Sequence, residues 1–146
     1  MDCWTCQSNS GARRISPGPT IWQGAYWRVE HAYPVAITGW LVIVLNRHAE
    51  ALHDLTPAEF AELAHVQARL TRLLHEQLGC EKEYLACYAE AEHFAHIHFH
   101  VLAKPKDLPD EFKGGRSFAL LKPTEASLVA PEAIQAFCEH WRELLA

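Results

Sequence analysis

The chain has 146 residues, of which 49% are hydrophobic and 21% charged, with a formal net charge of −5 at pH 7. That length supports one domain with a sizeable core, and the apolar content excludes disorder. The acid excess argues against a broad phosphate-backbone footprint, and the best apolar run, Trp40 to Leu45, is too short to cross a bilayer, so neither a nucleic-acid nor a membrane partner is expected.

The chain opens on Cys3-Trp4-Thr5-Cys6. A lone CxxC is ambiguous between redox motif, metal knuckle and accident. Residues 7–19, rich in Ser, Gly and Pro, read as a loop, whereas a redox pair sits where a helix start lowers the thiol pKa. The pair therefore reads as half of a zinc site, with histidines as the remaining donors. The five cysteines are an odd number, and no basic-then-apolar segment opens the sequence. A reducing, cytoplasmic setting without a disulfide framework is expected.

Thr20 to Trp22 and Tyr26 to Val29 flank Gln23-Gly24-Ala25 and read as a hairpin. Trp40 to Leu45 reads as a central strand buried on both faces. Thr56-Pro57-Ala58-Glu59 is a capping box with proline at the first helical position. Phe60, Leu63, Val66, Leu70, Leu73 and Leu74 then recur at helical spacing to about Leu78, where Gly79 can end the helix. Glu83 to Tyr88 and Ala95 to Ala103 read as strands, Lys104 to Lys113 as a charged loop, and Pro131 to Leu145 as an amphipathic helix. The order β-β-β-α-β-β-α predicts an α+β domain around an antiparallel sheet.

The run His96-Ile97-His98-Phe99-His100-Val101-Leu102 carries the chemistry. On a strand the three imidazoles share one face at roughly 6–7 Å intervals, while Ile97, Phe99 and Val101 turn to the core. Such a row supports either a metal site or nucleophilic catalysis, with one neutral ring attacking and a neighbour holding the developing charge. Spacing alone leaves both open.

This run resembles the His-φ-His-φ-His-φ-φ signature of the histidine triad (HIT) superfamily of nucleotide hydrolases and transferases. Gly39-Trp-Leu-Val-Ile-Val-Leu-Asn-Arg-His48 is similar to the family's upstream strand, and Leu55-Thr-Pro-Ala-Glu59 with its helix to the family's central helix. The resemblance covers roughly Cys3 to Leu121. It implies an α+β HIT-like fold with about five antiparallel strands, a long central helix and a C-terminal helix, usually as a homodimer. Residues 1–146 would form a single HIT-like domain, with 1–19 a zinc-knuckle-bearing segment and 122–146 a C-terminal helical extension.

By the same resemblance, Cys3, Cys6, His48 and His96 would hold a structural Zn2+. His98 would be the nucleophile toward the α-phosphorus of a nucleotide polyphosphate, phosphoramidate or related substrate, forming a nucleotidyl-histidine. His100 would donate hydrogen bonds to the phosphate oxygens. Nucleoside contacts are expected near Glu30 and His31, with Glu30 on the ribose hydroxyls.

The chain also departs from the pattern. Ala91-Glu92-His93 replaces the usual Gly-Gln-Ser or Gly-Gln-Thr. Glu92 would then stand beside the nucleotide, and His93 would be a catalytic proton donor to the leaving group. Trp40 replaces a usual histidine and is expected to pack beneath the triad. The turn between Tyr88 and His96 is short. Lys104, Lys106, Lys113 and Arg116 follow the triad and are candidates for a polyphosphate tail. These departures keep a nucleotide-binding protein with little turnover as the alternative.

Overall fold

Five segments fold as strands: β1 (Trp22–Gln23), β2 (Trp27–His31), β3 (Trp40–Leu45), β4 (Lys82–Ala86) and β5 (His98–Lys104). In the computed structural model, which describes residues 2–146, they form one antiparallel sheet in the order β1-β2-β3-β5-β4. The helices are α1 (Trp4–Asn9), α2 (Pro57–Leu78) and α3 (Pro131–Leu145), with 3-10 turns at Leu52–Asp54, Asp110–Phe112 and Gly114–Leu121.

Register divides the sheet into two unlike faces. Directly paired residues point to the same side. Trp27 pairs with Leu45, Val29 with Ile43, and Ile43 in turn with Phe99. This apolar set packs against α2, and the Trp27 indole Nε1–H donates to Glu59 O at 2.8 Å. On the other face lie two rows, Arg28–Val44–His98 and Glu30–Val42–His100. An apolar layer thus backs a sheet whose opposite side carries ionisable groups.

The long helix forms where its caps place it. Thr56 Oγ1 accepts from Glu59 N, Glu59 Oε1 accepts from Thr56 N, and Gly79 ends the helix in the left-handed region. Leu63, Val66, Leu70 and Leu74 are buried, whereas Phe60 is exposed. Burial of those four side chains contributes on the order of 1.5–3 kcal/mol each. On α3 the buried stripe is Ile134, Cys138, Trp141 and Leu145. Gly39, at the entry to β3, has φ +95, and a Cβ there would lie 2.7 Å from Leu78 Cδ1. Its N–H donates to His31 Nε2 at 3.0 Å.

Two expectations need correction. Residues 7–9, expected within the loop 7–19, instead complete a short helix over Trp4–Asn9 with Cys3 as its N-cap, so the CxxC does open a helix. A helix of this length is marginal alone. Here the Asn9 amide donates to Leu45 O and Asn46 O, and Arg28 donates to Asn9 Oδ1 and Ser8 Oγ. The triad strand begins at His98 rather than Ala95, so His96 lies in the approach to β5 and not on it.

Candidate functional site

The N-terminal turn, the end of β3 and the approach to β5 bring Cys3, Cys6, His48 and His96 together, with one ligating atom from each within 4.8 Å of all the others. Cys3 Sγ lies 3.7 Å from His96 Nδ1, and Cys6 Sγ lies 3.3 Å from His48 Nδ1 and 3.5 Å from His96 Nδ1. A tetrahedral Cys/His zinc centre has sulfur–nitrogen edges of about 3.6 Å, given Zn–S near 2.3 Å and Zn–N near 2.0–2.1 Å. His96 is fully buried, and its Nε2–H donates to Leu45 O at 2.7 Å, which leaves Nδ1 unprotonated toward the sulfurs. Backbone fixation of the outer nitrogen is how ligating histidines are commonly oriented. Burial, and then the neighbouring Cys3 sulfur, push the Cys6 thiol up to about 11. Cys6 is thus a thiol until a cation displaces its proton, and the two sulfurs and two imidazoles are the donor set a tetrahedral zinc ion takes.

Two residues along the chain the same side-chain type does something else. His98 Nδ1 lies 2.8 Å from His96 O. Only an N–H can bond a carbonyl, so the proton is on Nδ1 and the lone pair on Nε2. His100 Nδ1 accepts from the indole Nε1–H of Trp40 at 3.0 Å, so its proton is on Nε2. The two rings lie 4.9 Å apart and edge-on. Burial lowers the pKa of both, that of His100 to about 3, with the neighbouring His98 a further cause there. The pair is therefore neutral at pH 7, one ring offering a lone pair and the other an N–H.

Both rings line a cavity of about 1000 Å³ on the ionisable face of the sheet. Four cations, Arg13, Arg14, Arg28 and Lys122, border it against two carboxylates, Glu30 and Glu90. The cavity is thus cationic in an acidic chain. Glu30 pairs with Arg28 and accepts from Thr20 Oγ1 at 2.6 Å, both through Oε1. Its Oε2 has no partner among the described residues.

Several expected site residues lie elsewhere. His93 does not line the cavity. Its ring stacks on Trp4 at 4.5 Å, and Nδ1 pairs with Asp2 at 2.7 Å, beside the Cys/His cluster. The left-handed backbone at His93, φ 69, helps turn it there. Glu92 is 89% exposed and outside the cavity. His31 borders the cavity, but both ring nitrogens are engaged, Nδ1 by Ala32 O at 2.8 Å and Nε2 by Gly39 N. Lys104 pairs with Glu81, Lys113 with Asp110, and Arg116 donates to Asp110 O; neither these nor Lys106 line the cavity. Sequence reasoning missed the cations that do, because the folded path of residues 11–20 carries Arg13 and Arg14 there, β2 presents Arg28, and the end of the last 3-10 turn brings Lys122. It also missed Trp40 as a partner of His100, although an indole N–H in a buried strand always needs an acceptor.

The α+β domain with its five-stranded antiparallel sheet thus presents two imidazoles, one with a free lone pair and one with a free N–H, to a cavity bordered by four cations. Residues 27–113 match the family model described as scavenger mRNA decapping enzyme C-term binding, and the chain belongs to this HIT-like family and so to the histidine triad superfamily. The fold is similar to that of a zinc-bound histidine triad family protein from Mycobacterium smegmatis, at TM-score 0.70 and 18% identity, over 98% of this chain and 94% of that one. A histidine triad protein from Bradyrhizobium japonicum aligns at TM-score 0.69 and 20% identity, over 86% and 88% of the two chains. One from Sinorhizobium meliloti aligns at TM-score 0.68 and 20% identity, over 87% and 89%. No curated protein sequence matches the chain. Membership supports a nucleotide-binding or nucleotide-hydrolysing role in general terms. Among the described residues no helix is long and apolar enough to cross a membrane.

Proposed function

We propose that this protein is a nucleotide hydrolase or nucleotidyl transferase that works at the α-phosphate through a covalent nucleotidyl-histidine. The observation that carries the reading is the opposite tautomer of the two adjacent rings. His98 Nε2 attacks phosphorus, and the P–O or P–N bond to the leaving group breaks as the N–P bond forms. The leaving group takes up a proton from solvent water; a second water then attacks phosphorus and the N–P bond breaks, its electron pair returning to His98 Nε2 and the water's proton to solvent, so that a nucleoside monophosphate is released. His100 Nε2–H donates to a phosphate oxygen as charge develops there. Arg13, Arg14 and Lys122 draw the anion in, and Glu30 Oε2 accepts from a ribose hydroxyl.

Cys3, Cys6, His48 and His96 hold a structural zinc ion in this reading, and His48 Nε2 has Glu50 3.8 Å away as an outer partner. When bound, the ion supplies no chemistry to the phosphate; it ties the N-terminal segment to the sheet. The protein acts as a cytoplasmic homodimer, for which the edge position of β4 and the exposed Leu85 and Leu78 offer surface.

The test is hydrolysis of an adenosine 5′-phosphoramidate and a diadenosine polyphosphate by the wild type and by His98→Ala. Turnover by the wild type, with an adenylylated His98 trapped by an alkaline denaturing quench, is expected; binding without turnover would sink the enzyme reading. The second reading, a binding protein with little turnover, rests on Glu92 and His93 lying outside the cavity, which leaves Ala91-Glu92-His93 with no polar side chain to offer a leaving group there.

A further inference from the structure

Trp40 is 1% exposed, and its indole N–H has one partner, His100 Nδ1. The contact is diagonal across β3 and β5, since Trp40 pairs with Leu102 and Val42 with His100. Trp40 does not line the cavity; it stands behind the ring that does. Phe118 closes the arrangement, edge-on to His100 at 4.8 Å and to Trp40 at 5.3 Å. A buried donor without an acceptor is costly, and two facing donors more so. A proton on His100 Nδ1, in the other neutral tautomer or in the cation, would set N–H against N–H inside this packed corner. A ring turned about its Cβ–Cγ bond would lose the indole contact and bring a carbon to it. Every alternative state of His100 therefore breaks the same hydrogen bond.

We propose that Trp40 is a positioning residue for His100: its indole N–H and the flank of Phe118 hold one ring orientation, with Nε2–H toward the cavity, so that His100 serves as a neutral, pre-aimed donor. This rests on the phosphate-binding role proposed above for His100, but the ring state itself is readable without substrate. Trp40 touches neither substrate nor reacting atoms. Its action is to remove the reorganisation that a free imidazole would undergo each time charge forms on phosphate.

The experiment is 15N NMR of the imidazole rings at pH 7, together with steady-state kinetics on an adenosine 5′-phosphoramidate. The wild type should show His100 protonated on Nε2, with Nδ1 shifted as a hydrogen-bond acceptor and coupled to the Trp40 indole proton. In Trp40→Phe the Nδ1 signal should move to that of a nitrogen without a hydrogen bond, and kcat should fall about tenfold with KM little changed, the pattern of a lost transition-state contact. Trp40→His, which restores an N–H donor, should recover part of both. A proton on Nδ1 of His100 in the wild type overturns the inference even if Trp40→Phe does not fold. So does an Nδ1 signal that stays in place in Trp40→Phe. A wild type with the expected ring state but no turnover leaves the positioning intact and sinks only the enzymatic reading.

Discussion

His96 and His98 are two residues apart, yet their rings are mirror images in function. His96 sends its outer N–H to Leu45 O and turns an unprotonated Nδ1 to the sulfurs of Cys3 and Cys6. His98 gives its Nδ1–H to His96 O and turns Nε2 to the cavity. In both, a backbone carbonyl accepts from the one ring N–H, and which nitrogen it reaches decides where the lone pair goes. The difference comes from position: His96 lies ahead of β5, under the end of β3, while His98 sits in the strand opposite Val44. A repeated residue is thus divided between a candidate metal centre and a candidate nucleophile by the local path of the chain.

The comparison breaks most sharply at the nucleophile. His98→Ala should lower kcat for phosphoramidate hydrolysis by about 10³-fold or more, since the covalent route is lost. Zinc content and melting temperature should stay near wild type; a loss of zinc would mean that the two pockets are not separable. The converse is Cys3→Ser with Cys6→Ser, measured by elemental analysis and calorimetry. Zinc should be lost and Tm should drop by about 10 °C or more. Zinc retained at full occupancy would refute the ligand set.

His31 sharpens the contrast, because it is a buried histidine with neither lone pair nor N–H left to offer. Burial pushes its pKa down to about 4, against the usual 6.5, although the Ala32 carbonyl works in the other direction. The folded state therefore binds this proton less readily than the unfolded chain. Its contribution is present above pH 6.5 and is lost as pH falls from there toward 4, by about 3 kcal/mol at most. Urea titrations across that window should give a shallower pH dependence for His31→Gln than for wild type; an equal slope would assign the effect to other groups. The smallest effect belongs to Glu92→Gln. With its carboxylate outside the cavity, turnover should stay within about twofold and stability within ~0.5 kcal/mol. A larger rate change would restore Glu92 to the site.

Much of the site was legible because its signals are local. The shared face of His98 and His100 follows from any fold that makes residues 98–104 a strand, though His96, expected on the same row, falls outside it, and the capping box at Thr56 and Glu59 formed as its side chains require. The resemblance brought Cys3, Cys6, His48 and His96 into one set, and the folded chain does bring them together. What stayed hidden depends on contacts distant in sequence. The helix at Trp4–Asn9 has no apolar period and is held by Arg28, Leu45 and Asn46. His93 sits before the triad in sequence, but its left-handed backbone and the stack on Trp4 carry it to the other pocket.

The sequence by itself determined the class: alternating histidines on a strand, a capped helix behind it and an antiparallel α+β frame follow from side-chain period and capping chemistry, which act over a few residues. Tertiary structure alone decided the state of each imidazole and the composition of the cavity wall. A proton's place on a ring depends on which carbonyl or indole lies within hydrogen-bond reach, and those partners, Leu45 for His96 and Trp40 for His100, stand 51 and 60 residues away along the chain.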